Sequence, residues 1–133
     1  MRRCFSVKAI ARGLFAATLA ISLIGAQAID TQAATTGVRV VNFRFMPAKI
    51  STSTGTTVKW RNATSGTTHT VTAYSGHWSK DTSLSAGAST SFRFVRRGVY
   101  KFYCRLHAHI TSTGRCVADA GIPTRMCGTI IVS

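Results

Sequence analysis

The chain has no glutamate and only three aspartates, Asp30, Asp81 and Asp119, against 17 lysines and arginines in 133 residues. Its formal charge is +14 with histidine neutral. No convincing amphipathic helix and no internal repeat can be traced along it, which leaves strands and turns to build the fold. It also lacks an apolar run of the roughly 20 residues that a membrane span needs. The longest such run, Leu14 to Ile24, follows a basic stretch containing Arg2, Arg3, Lys8 and Arg12, and Ala26-Gln27-Ala28 closes it. The order basic, apolar, small predicts an export signal over residues 1–28. Arg2-Arg3-Cys4-Phe5-Ser6-Val7-Lys8 resembles a twin-arginine leader. The mature protein is therefore expected in the periplasm or outside the cell.

Removal of Arg2, Arg3, Lys8 and Arg12 with the signal leaves thirteen cations against three acids, a formal charge of +10. Such a charge favours association with acidic proteins, anionic membrane surfaces or nucleic acid. The cations are scattered and no nucleic-acid motif accompanies them, so a monomer meeting acidic protein partners is expected, and nucleic acid is not. Membrane contact would come only through surface charge or an uncleaved leader. Cysteine is scarce as well. Cys4 leaves with the signal, and Cys104, Cys116 and Cys127 remain, an odd number in a compartment that permits disulfides. The simplest allocation pairs Cys116 with Cys127 and leaves Cys104 free for a metal; cross-linking of two chains is the alternative.

Residues 29–37 are small and polar and read as a flexible leader to one domain over 38–133. Beyond it, short alternating runs are separated by turns at Thr54-Gly55, Gly76, Ser85-Ala86-Gly87 and Gly98. Val58 and Trp60 share one parity and Lys59 and Arg61 the other. Phe92 and Phe94 flank Arg93. Val99-Tyr-Lys-Phe-Tyr-Cys104 and Gly128-Thr-Ile-Ile-Val132 are further strands. The pattern predicts an all-β fold, an antiparallel Greek-key sandwich. The expected inward set is Val58, Trp60, Val71, Phe92, Phe94, Tyr100, Phe102, Ile130 and Val132, with either Val40 or Phe43 from the first strand. The parity of that strand is ambiguous because Val38 and Val40 lie on one face and Val41, Phe43 and Phe45 on the other.

Four residues carry metal chemistry. His69 stands in a strand-like segment, Cys104 and His107 are spaced C-x2-H at a strand end, and Met126 precedes the last strand. Two imidazoles, a thiolate and a weak thioether are the ligand set of a type 1 copper centre. The soft thiolate suits Cu(I) and bonds covalently to Cu(II), imidazoles suit both states, and a long thioether bond is too weak to force a change of geometry between them. Each residue has an ordinary use when taken singly: an edge histidine, a small buried thiol, a core methionine, or half of a zinc site.

The quoted segments resemble the plastocyanin-like branch of the cupredoxins over roughly residues 38–132. Phe43-Arg-Phe45-Met-Pro47-Ala-Lys-Ile50 is similar to the family's first-strand segment, and Gly55-Thr-Thr-Val58-Lys-Trp60-Arg-Asn62 to its G-x-x-V-x-W-x-N strand. Thr68-His69-Thr70-Val71 resembles the segment with the first histidine ligand. Gly98-Val-Tyr100-Lys-Phe102-Tyr-Cys104-Arg-Leu-His107 resembles G-x-Y-x-Y/F-x-C-x-x-H, and Met126-Cys-Gly128-Thr-Ile130-Ile-Val132 resembles M-x-G-x-I-x-V. The resemblance implies one copper ion held by His69, Cys104, His107 and Met126. It also implies one-electron transfer between redox partners, with the exposed edge of His107 as the port. Arg105 and Leu106 flank that port and Lys101 is expected nearby, a basic rim suited to a transient complex with an acidic partner.

Three features depart from the family. Eighteen residues, 108–125, separate His107 from Met126 where the family's loop is usually short. A Cys116–Cys127 disulfide would pinch that insertion off and return Met126 to its usual place. His109 makes a C-x4-H spacing with Cys104 and is the alternative second histidine ligand. Thr70 stands where many relatives carry asparagine; its backbone N–H can still donate to the Cys104 sulfur, but the asparagine side-chain contacts that brace the ligand loops are expected to be missing. Copper enzymes need further histidine ligands, and with four histidines in the chain no enzyme is expected. A copper store or delivery module is the remaining alternative.

Overall fold

Buried and exposed side chains alternate through most strands of the computed structural model, which describes residues 33–133. The expected export signal lies outside the described residues. In β4 (Thr57–Asn62), Val58, Trp60 and Asn62 are buried while Lys59 and Arg61 face water. In β8 (Gly98–Tyr103), Tyr100 and Phe102 are buried, and Cys104 continues that inward register just past the strand. In β11 (Cys127–Val132), Gly128, Ile130 and Val132 point inward. This period of two makes each strand half-buried and requires a second layer to cover it.

Two sheets provide those layers. One has the order β2 (Arg44–Met46), β1 (Thr35–Val41), β4 and β7 (Ser89–Arg93). The other has the order β3 (Lys49–Thr52), β11, β8, β5 (His69–Ser75) and β6 (Asp81–Leu84). The expected all-β sandwich is therefore present, with two pairings, β1 with β4 and β3 with β11, running parallel. Parallel neighbours need a crossover. The chain supplies one by leaving the first sheet after β2, visiting the second as β3, and returning as β4. The first strand opens at Thr35, ahead of the expected domain start, because Thr35–Gly37 pair with Thr57–Lys59.

The ambiguous parity of the first strand has a local cause. Asn42 and Phe43 have φ of 47° and 58°, a left-handed turn that non-glycine residues seldom adopt. It resets the alternation, so Val38, Val40 and Phe45 are all buried although their spacing in sequence disagrees. The core contains the expected Val58, Trp60, Val71, Phe94, Tyr100, Phe102, Ile130 and Val132, with Phe92 half-buried against it. Trp78, between β5 and β6, joins it without any strand alternation to announce it. Its ring lies 5.3 Å from those of Phe92 and Phe94 and 6.2 Å from Trp60. Gly128 is required by packing: a side chain there would collide with the Phe102 ring.

The 108–125 insertion has structure of its own. β9 (Ala108–Ile110) and β10 (Cys116–Ala118) form a separate antiparallel hairpin, closed at Thr111–Gly114 by a Gly114 N–H bond to the Thr111 carbonyl of 2.9 Å.

Candidate metal centre

The three segments that resemble ligand-bearing motifs meet at one end of the sandwich. His69 opens β5 opposite Leu84 of β6, and both are buried. Cys104 ends the inward register of β8. A tight turn follows, in which the N–H groups of His107 and Ala108 both donate to the Cys104 carbonyl at 3.1 and 3.0 Å. That turn folds the His107 ring back over the sulfur. Met126 lies beside Cys104 because the Cys104 N–H donates to its carbonyl at 3.0 Å, and its side chain is fully buried.

The donor atoms of His69, Cys104 and His107 all fall within 4.8 Å of one another. The two Nδ1 atoms are 3.2 Å apart. Cys104 Sγ is 3.3 Å from the Nδ1 of His107 and 3.9 Å from that of His69. The Thr70 backbone N–H donates to the same sulfur at 3.2 Å and helps to fix its position. Burial, then the neighbouring His107, pushes His69 from 6.5 down to about 4. Burial also lowers His107, against an opposing pull from Asp119. Both imidazoles are therefore neutral at neutral pH and offer lone pairs rather than protons to a cation between them. Two ring nitrogens, a thiolate and a buried thioether alongside fit copper, whose two oxidation states such a mixed soft and borderline set accommodates.

His69 also makes the metal-free protein acid-sensitive. Below pH 6.5 the unfolded chain takes up a proton at this residue that the folded chain refuses until about pH 4. Stability must fall across that window as pH drops. The thermal midpoint of the metal-free protein is expected to decline from pH 6.5 to 4.5, and a flat profile there would contradict the burial of His69.

The alternative ligand His109 is carried elsewhere. It lies on β9, where Ala108 points inward and His109 outward, and its Nδ1 is 2.7 Å from Asp119 Oδ1. His77 is exposed in the turn after β5. Cys116 and Cys127 are joined as a disulfide with Cα atoms 6.3 Å apart. Cys104 is the one free cysteine among the described residues.

In place of an asparagine's contacts, Thr70 makes bracing contacts of its own. The Arg105 N–H donates to Thr70 Oγ1 at 2.9 Å, across the two ligand loops. The Thr70 hydroxyl lies 3.0 Å from Thr72 Oγ1, which donates to Asp81 Oδ1 at 2.9 Å. Arg105 Nε donates to the same carboxylate oxygen at 3.0 Å. Since Thr72 gives its proton to Asp81 and Thr70 accepts from Arg105, the Thr70 hydroxyl donates to Thr72. The result is a closed circuit, and its Arg105 and Thr72 contacts hold the Asp81 carboxyl below its ordinary range. A threonine, shorter than asparagine, thus braces the loops through its strand neighbour Thr72 and through Arg105, which the fold brings near.

Other supporting residues were not singled out from sequence. Phe43 stands edge-on to His107 and His69, with ring centroids at 4.9 and 5.8 Å. Thr124 Oγ1 donates to the Phe43 carbonyl at 2.6 Å, fastening the end of the insertion to this turn. Buried Asn62 donates to the carbonyls of Thr67 and Leu84 at 2.8 and 2.9 Å and so fixes the loop leading to His69. Its place in the G-x-x-V-x-W-x-N segment is the available signal, as the first-strand segment is for Phe43; Thr124 has none.

The sequence matches the family model described as a cupredoxin-like domain over residues 14–117, a span that holds His69, Cys104 and His107 and ends before Met126. Among solved structures, amicyanin from Paracoccus versutus aligns at TM-score 0.54 and 17% identity, over 80% of this chain and 86% of its own. A purple cupredoxin from Nitrosopumilus maritimus aligns at 0.52 and 22% identity, over 75% and 99%. A copper-containing nitrite reductase from Thermus scotoductus aligns at 0.56 and 22% identity over 83% of this chain but 24% of its own length. At these identities the structural likeness speaks to the fold. No curated protein matches the sequence.

Proposed function

Because this chain belongs to the cupredoxin-like domain family, we propose that it is an exported type 1 copper protein that carries single electrons between redox partners, and that His69, Cys104, His107 and Met126 hold the metal. The observation behind this is the convergence of two imidazole nitrogens and the free thiol within 4.8 Å, with His69 and Cys104 buried and His107 half-buried. Copper bound there supplies one-electron cycling between Cu(I) and Cu(II). A thioether as the fourth donor suits that couple better than zinc, which takes nitrogen, thiolate or oxygen.

The chain's own residues keep the donors from moving. Thr70 holds the sulfur through its N–H and the second ligand loop through its hydroxyl, while Asn62 holds the first. A site that does not rearrange between oxidation states has a low barrier to electron transfer. His107 is half-buried, Leu106 beside it is 45% exposed and Arg105 is exposed, which makes a small apolar and basic rim around the ring. Such a rim favours brief, salt-sensitive encounters with an acidic donor or acceptor. Lys101 faces a different surface, described below. The disulfide supports a location outside the cytosol. Of the other histidines, His109 is engaged by Asp119 and His77 is exposed in the turn after β5.

One equivalent of Cu(II) added to the metal-free protein should produce an intense visible thiolate-to-copper band and a reversible one-electron wave. No band would sink the proposal, and a band without reversible cycling would favour storage or delivery. Met126→Leu should retain copper and raise the potential, since the thioether's donation to Cu(II) is lost. An unchanged potential and spectrum would remove Met126 from the ligand set.

A further inference from the structure

Met126 faces the core, so strand alternation turns Cys127 outward, and its bond to Cys116 holds the β9–β10 hairpin against the outside of the five-stranded sheet. Between hairpin and sheet lies a cleft of about 450 Å³. Four cations line it from four separate elements: Lys49 from β3, Lys101 from β8, Arg115 from the hairpin and Arg125 from the segment before Met126. Among the described residues no acidic side chain lines it. Among the described residues none of these four side chains has an ion pair. The two described aspartates are engaged elsewhere, Asp81 by Arg105 and Asp119 by His109.

Four like charges gathered in one concavity repel one another, and they also concentrate anions there. We propose that this cleft binds a small multivalent oxyanion, one carrying two or more phosphate or carboxylate groups. Its volume falls within the range of small-ligand sites, roughly 300–1,000 Å³. Charges converging from a hairpin and three sheet-side segments suit a compact ligand that several of them contact at once. Tyr74 lines the same cleft, and burial raises its hydroxyl above the usual range, so it stays a neutral donor. Arginine and lysine together offer forked and point-charge contacts to such a ligand. The disulfide has a clear part in this site, since it fixes Arg115 over the sheet.

Calorimetric titration of the full chain with pyrophosphate and with citrate, at about 150 mM salt to suppress diffuse attraction, tests this. Saturable binding of one ion per chain is expected for at least one probe, and which probe binds identifies phosphate or carboxylate as the preferred group. Arg115→Gln and Lys101→Gln should each weaken it about tenfold, the loss of one charge-assisted contact. Lys59→Gln, which removes an equal charge from the outside of the other sheet, should weaken it less than about twofold. Affinity should be the same with and without copper. No saturable binding to either probe would overturn the proposal. So would equal weakening by Lys59→Gln, which would signify net charge alone, or binding that appears only with copper, which would place the anion on the metal.

Discussion

Cys104→Ser should abolish the visible thiolate band of the Cu(II)-loaded protein and weaken copper binding by more than about a hundredfold, since even changes to groups that merely support a ligand cost 10–100-fold. The substitution is nearly isosteric, and the surroundings can satisfy a hydroxyl. The Thr70 N–H that reaches Sγ at 3.2 Å can donate to oxygen instead, and the His107 Nδ1 at 3.3 Å can accept from it. The fold should therefore survive with a small change in stability, and circular dichroism should match the parent's. That separates a ligand from a buried core thiol. If Cys104 served only packing, serine would cost stability and leave any copper spectrum intact. A band that persists in Cys104→Ser would end the assignment.

The parts of this fold that were legible in the sequence are those governed by one rule at a time. Val58 and Trp60, Tyr100 and Phe102, and Ile130 and Val132 obey strict alternation, and all six are buried. The same rule carries Cys104 inward and, applied to Ala108 and His109, turns His109 outward to Asp119. Spacing alone left His107 and His109 open, because C-x2-H and C-x4-H do not reveal where the turn ends and β9 begins. Once His107 and Ala108 both donate to the Cys104 carbonyl, only His107 returns to the sulfur. The first strand was illegible because the Asn42-Phe43 turn inserts a break in parity that no glycine or proline marks. The contacts of Thr70 are not legible because Arg105 and Asp81, which close the circuit through Thr70 and its strand neighbour Thr72, come from other segments that only the second sheet assembles. Trp78 lies in a connection, where period carries no information.

Replacing both Cys116 and Cys127 by serine should lower stability by about 3 kcal/mol, the chain-entropy value for a cross-link spanning this short a loop. For a domain of about 100 residues that corresponds to a fall in thermal midpoint of roughly 12–20 °C. Both cysteines must go together, since a single serine would leave a reactive thiol beside the site. The insertion has other anchors: the Asp119 N–H donates to the His107 carbonyl at 3.1 Å, and Thr124 donates to the Phe43 carbonyl. If these already hold the segment, the loss measured by denaturant unfolding of the metal-free protein will be under about 1 kcal/mol, and the entropic role of the bridge falls. If the full loss appears, release of the hairpin should also loosen Phe43 and His107, because Thr124 and Asp119 belong to the freed segment. The copper band should then broaden while Cys104 still binds, a spectral change distinct from the outright loss expected for Cys104→Ser. The two variants together thus separate the residue that would bind the metal from the bridge that lets an eighteen-residue insertion end with Met126 beside it.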